Sequence, residues 1–170
     1  MLKQILMIVA LSTGLAGLAH GQLPAVDISA EQITAFIDAL PDDSISDRPI
    51  RVVELGGHKA GVYGVFRPAA MAGRAIRHET VVAEIYYMLE GSGTLVTGGT
   101  IQNEQQTGVS PNTHSPNYAG PAIDNGSSRR VQAGDVVVIP GNVPHWWSSL
   151  DSDIRYLIFR ADPEGVQSEK

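Results

Sequence analysis

A chain of 170 residues with 43% hydrophobic and 18% charged side chains has the size and balance of one compact domain, which argues against a two-domain enzyme. With no cysteine it excludes a disulfide framework, a thiol nucleophile and any Cys-based zinc site, so a metal must be held by His, carboxylates or other oxygen donors. The formal net charge of −6 argues against nucleic acid and other polyanions, whose binders usually carry a basic surface.

Taken in chain order, residues 1–21 read as a secretory signal. Lys3 supplies a positive start, an apolar run from Ile5 to Leu18 is short for a bilayer span, and Ala19-His20-Gly21 ends in small residues at the −3 and −1 positions. Cleavage is expected near Gly21, giving a periplasmic or secreted protein without a stable membrane anchor. No Cys follows to carry lipid, and the competing reading is an N-terminal membrane anchor. Residues 22–49 form an extension with one helix. Ser29-Ala30-Glu31-Gln32 resembles a capping box, Ile33, Phe36, Ile37 and Leu40 recur at helical spacing, and Pro41 stops the element.

From Ile50 the pattern changes to short β-rich runs bounded by Gly and Pro, at 51–55, 62–67, 81–89, 93–97, 135–140 and 154–160. Short strands without intervening helices predict an all-β sandwich or barrel of jelly-roll size over 50–163, followed by a tail at 164–170. The exception is 100–129, a polar stretch rich in Gly, Pro, Asn and Ser. It is expected as a mobile loop over one rim or as an elaborated hairpin.

Two frames carry the chemistry. In the first, His78-Glu79-Thr80-Val81-Val82-Ala83-Glu84, His78 and Glu84 share strand parity if no bulge intervenes, and Gly91 and Gly93 permit the turn that follows. In the second, Gly134 leads a buried strand that Pro140 and Gly141 end, presenting His145 just beyond the corner. Two such pieces bring His78, Glu84 and His145 to the inside of a small barrel. Two histidines and a carboxylate are residue types that Fe, Mn, Ni, Co or Zn accept as donors.

On these residues the chain resembles the cupin superfamily over 52–159. Thr80 to Glu84 to Gly91 follows the spacing of the family's first motif, and Gly134, Pro140 and His145 fall in register with its second. Thr80 stands where many members have a second histidine, Asn142 replaces the motif glycine, and Ala72 takes the leading glycine position with Gly73 one place later. The resemblance implies a single cupin jelly-roll β-barrel with a short N-terminal helix and a long polar insertion, holding one divalent metal through His78, Glu84 and His145. It also implies a small-molecule ligand. One barrel hosts many chemistries, so the activity stays open between an oxygenase, isomerase or lyase on a small oxygen-rich molecule and a non-catalytic, sugar-like binding module. A third role is structural, a homodimer through the exposed sheet faces.

Other residues carry two readings each. Tyr86 points inward beside Glu84, as an acid or base near the metal or as core packing. Arg67 alternates with Tyr63 and Val65 and either clamps a substrate carboxylate or makes a rim salt bridge. His58 sits in a turn and His114 on the long loop, each exposed or a further ligand or lid residue. Trp146 and Trp147 face opposite ways, one walling the pocket.

Overall fold

The computed structural model describes residues 23–168, so the expected signal at 1–21 lies outside the described residues. Helix α1 (Ala30–Asp38) precedes strands β1 (Ser46–Glu54), β2 (Lys59–Arg67), β3 (Ala75–His78), β4 (Ala83–Glu90), β5 (Ser92–Thr97) and β6 (Thr100–Ile101). There follow β7 (Gln105–Val109), β8 (Pro116–Gly120), β9 (Ile123–Asp124), β10 (Ser127–Gln132), β11 (Val136–Ile139), β12 (His145–Leu150) and β13 (Ile154–Asp162).

The capping box of α1 is formed: the Ser29 hydroxyl accepts from Gln32 N and the Gln32 side chain accepts from Ser29 N. Ile37 and Leu40 are buried, with Ile33 and Phe36 beside them, against Phe66 and Leu157. These partners lie on β2 and β13, so the helix covers the outer face of a sheet. Gly64 is what allows the approach, because a Cβ there would stand 2.8 Å from Ile37 Cδ1.

Two sheets build the body, one ordered β1-β2-β13-β4-β11 and the other β10-β5-β12-β3-β8-β7, with β6 and β9 paired apart from them. Alternation along β4 and β11 turns every second side chain inward. Met88, Val137 and Tyr156 from the first sheet meet Leu95, Val131 and Trp147 from the second in one apolar cluster. Two antiparallel sheets packed face to face around a shared core are the jelly roll that the strand spacing predicts.

The polar stretch at 100–129 carries regular structure: β6 to β9 and the start of β10 lie in it, and β8 pairs with β3. Of the two forms expected for it, the elaborated hairpin is the one present. The signal was hidden because β7 is exposed along its whole length, so it shows no apolar alternation. Within 81–89 the strand begins only at Ala83, and β1 starts at Ser46, ahead of the expected 50. The C-terminal tail folds back, with Gln167 buried and its main-chain N–H donating to Asp162 Oδ2 at 2.8 Å.

Candidate metal centre

His78 and Glu84 do converge, but not by sharing one strand. His78 ends β3 in one sheet and Glu84 lies on β4 in the other. Between them the chain turns, with the Thr80 hydroxyl accepting from Val82 N at 3.2 Å and Thr80 N donating to His78 O at 2.9 Å. The shared-parity expectation is therefore corrected: the two side chains face each other across the interior. His145, first residue of β12, stands opposite Ile76 of β3 and completes the group. Asn142 has φ 63°, as expected of an Asn in a glycine position at the corner before it.

One ligand atom from each of His78, Glu84 and His145 lies within 4.8 Å of the others. Both imidazoles are oriented from behind. His78 Nδ1 sits 2.6 Å from Asn117 Oδ1, and His145 Nδ1 sits 3.0 Å from the Val143 carbonyl. An amide or carbonyl oxygen only accepts, so each Nδ1 carries the proton and each Nε2 keeps its lone pair for the interior. Burial lowers the His145 pKa and His78 adds to it, outweighing the attraction of Glu84, which favours the neutral, ligating form.

Glu84 is held on both oxygens. Oε1 accepts from Arg160 Nε at 2.9 Å, and Oε2 accepts from the Tyr86 hydroxyl at 3.0 Å. Burial alone would raise this carboxyl, but the Arg160 guanidinium and the two imidazoles outweigh it and bring it to about 2. Arg160 is itself buried, lies over the Tyr63 ring, and also pairs with Asp47 at 2.6 Å. The Tyr86 phenol is pushed well above its ordinary value by burial and by the Glu84 carboxylate, so it is a proton donor in neutral solution. It packs against Tyr156, with ring centroids 4.9 Å apart.

A cavity of about 180 Å³ opens onto this group, walled by Trp146 and Ile76 and rimmed by the exposed Ile45 and Arg74. Arg67 lines it too, so the strand face carrying Tyr63, Val65 and Arg67 is the inner one. Its Nη1 donates to main-chain carbonyls, 3.0 Å to Ala72 and 3.4 Å to Met71. Trp147 is buried in the core, whereas Trp146 hangs its indole on the Gly73 carbonyl at 3.1 Å. His58 is exposed in the β1–β2 turn and is not part of the group. His114 is exposed, bonded to Ser168 Oγ at 2.7 Å, and lines a separate, wider surface groove of about 500 Å³ that none of the three ligand residues touches. Asn117, Arg160 and Asp47 were missed in the sequence. Asn117 lies in the stretch read as loop, and nothing in the Arg160 or Asp47 frames marks them as partners.

The described residues thus define a jelly-roll β protein with a His-Glu-His cluster in its interior. The sequence model of the cupin family matches residues 65–169, more than half of the chain, and the chain belongs to that family. No curated protein matches it. Among solved structures it is similar to a protein of Bacillus halodurans, with 14% identity, 88% of this chain and 92% of that one covered, and a TM-score of 0.49. It is also similar to an RmlC-like cupin family protein of Methanocaldococcus jannaschii, with 12% identity, 74% and 88% covered, and a TM-score of 0.44. A third is the DMSP lyase DddQ of Ruegeria pomeroyi, with 16% identity, 90% and 80% covered, and a TM-score of 0.45.

Proposed function

We propose that this chain is an exported cupin that binds one divalent metal through His78, Glu84 and His145 and acts on a small oxygen-rich molecule. The observation that carries this reading is the donor set. Three ligand atoms lie within 4.8 Å, and both imidazoles have Nδ1 committed elsewhere so that Nε2 faces the group. The donor types fit Fe, Mn, Zn, Ni or Co. A bound ion supplies Lewis-acid polarisation of a substrate oxygen, or one-electron chemistry with dioxygen if it is iron.

The chain's own residues account for the rest. Arg160 and Tyr86 hold the Glu84 carboxylate ionised and fixed in direction. Tyr86 acts as a positioning residue and a proton donor at the cavity wall, and its raised pKa argues against a role as base. Trp146, Ile76 and Ile158 supply apolar wall against which a small carbon skeleton packs. Thr80 supplies no imidazole, so the protein donors number three, and the cavity over the group is where a ligand reaches it.

The test is metal analysis of untagged protein purified from its native compartment, with N-terminal sequencing of the same sample. Near-stoichiometric divalent metal and a start after Gly21 are expected. Metal-free protein that refuses added Fe, Mn, Zn, Ni and Co overturns the metal reading, and a retained Met1 overturns export. Oxygenase, isomerase or lyase turnover of the loaded protein then separates an enzyme from a binding module.

A further inference from the structure

We infer that the cavity over the His-Glu-His group selects a small organic anion, with Arg67 as the residue that takes its carboxylate and Arg74 assisting at the rim. This deepens the metal-site reading and rests on it for the second contact to the ligand. Charge is the starting point. Two carboxylates line the cavity, Asp47 and Glu84, and both are engaged by Arg160, at 2.6 and 2.9 Å. Neither Arg67 nor Arg74 has a carboxylate within ion-pair distance among the described residues. The lining therefore holds two guanidinium groups with no counter-charge, in a protein whose formal net charge is −6.

The geometry of Arg67 sharpens this. Its Nη1 is committed to the Ala72 and Met71 carbonyls, which fixes the plane of the guanidinium. Its Nε is buried with no hydrogen-bond partner among the described residues, while the Tyr156 hydroxyl lies against the same guanidinium. A buried donor left unsatisfied is costly. Nε lies on the side-on fork of the guanidinium, the edge whose spacing matches the two oxygens of a carboxylate. A carboxylate in the cavity that Arg67 lines neutralises a charge with no counter-charge among the described residues. Nε itself is covered, so a ligand carboxylate meets the guanidinium on the part that lines the cavity. A cavity of about 180 Å³ suits a small ligand of a few carbon and oxygen atoms.

The experiment is isothermal titration of the full chain, metal-loaded and metal-free, with lactate and with lactamide. These probes have the same heavy-atom count and differ in charge. Lactate should bind at least tenfold more tightly than lactamide. Arg67→Met should weaken lactate about tenfold or more, Arg67→Lys less, and neither should change lactamide binding. Arg74→Gln should weaken lactate severalfold, and it guards against misfolding at Arg67 because Arg74 is exposed and its side chain makes no hydrogen bond or ion pair among the described residues. Lactate binding that is unchanged in both Arg67→Met and Arg74→Gln overturns the proposal, as does equal affinity for the two probes or no lactate binding in either form. Metal content read on the same samples keeps the two ideas separate. Protein that takes up no metal yet binds lactate through Arg67 refutes the metal reading and supports this one.

Discussion

Asn117 Oδ1 lies 2.6 Å from His78 Nδ1, and the two residues sit directly opposite each other across the β3–β8 pair. The polar segment between the two motifs thus reaches the His-Glu-His group through a backbone ladder, and its amide decides which nitrogen of His78 faces inward. Groups that orient a ligating imidazole typically matter about 10–100-fold in metal affinity. Asn117→Ala should weaken divalent metal binding by about that factor with little loss of fold, as read by competition against a chelator. Unchanged affinity would mean that His78 is oriented by packing alone.

Arg160 joins Glu84 of β4 to Asp47 of β1 while almost wholly buried. Removing one member of a buried ionic network strands the others, at a cost of about 3–5 kcal/mol. Arg160→Met should lower stability to chemical denaturation by roughly that amount. Added divalent metal should recover part of the loss, since a cation beside Glu84 replaces the missing charge. Arg160→Lys should fall between the two.

The pH dependence of the metal-free protein has a definite sign. Glu84 titrates at about 2 when folded and near 4.5 when unfolded, so the unfolded chain binds the extra proton between those values and stability falls as pH drops through them. The full contribution, present above pH 4.5, is about 3 kcal/mol. His145 acts in the same direction at higher pH: its folded pKa lies below 6.5, so acidification through that region also favours the unfolded chain. Denaturation midpoints should therefore fall in two steps, the first below pH 6.5 and the second below 4.5. The Glu84→Gln variant should lack the second.

The convergence of His78, Glu84 and His145 was legible in the sequence because two strand corners with glycine and proline punctuation each present one or two chemical residues. The capping box at Ser29 was legible because it is local. The route by which His78 and Glu84 meet was not: a crossing between sheets at Thr80 leaves the same residue spacing as a continuous strand. Nor were β7, an exposed edge strand, and β8, which lies between β7 and β3 and runs from half-buried to buried without alternating. Asn117 and Arg160 are ordinary surface-type residues until pairing brings them beside a histidine and a glutamate. The pairing is long-range, and no local pattern encodes it.

Substitution of the ligands separates a three-residue centre from one that recruits a further donor. The Thr80 hydroxyl accepts a hydrogen bond from Val82 N and belongs to the turn between the sheets, while a neutral hydroxyl is in any case a weak donor beside imidazole and carboxylate. Thr80→Ala should therefore retain metal, with a loss of stability no larger than one hydrogen bond, about 1 kcal/mol. His78→Ala, Glu84→Ala and His145→Ala should each lose most of it, and His58→Ala, exposed in the β1–β2 turn, should lose none. Thr80→His is the informative gain. An imidazole at the turn stands next to His78, Glu84 and the small spaces that Thr80 lines, so it should tighten binding by adding a fourth donor. It should also remove a position open to water, seen as reduced relaxation of solvent protons by a bound manganese ion. Elemental analysis of each purified variant reads the first set of outcomes and proton relaxation the second. Full metal occupancy in His145→Ala, or an emptied site in His58→Ala, would show that the ions bind elsewhere than between β3, β4 and β12.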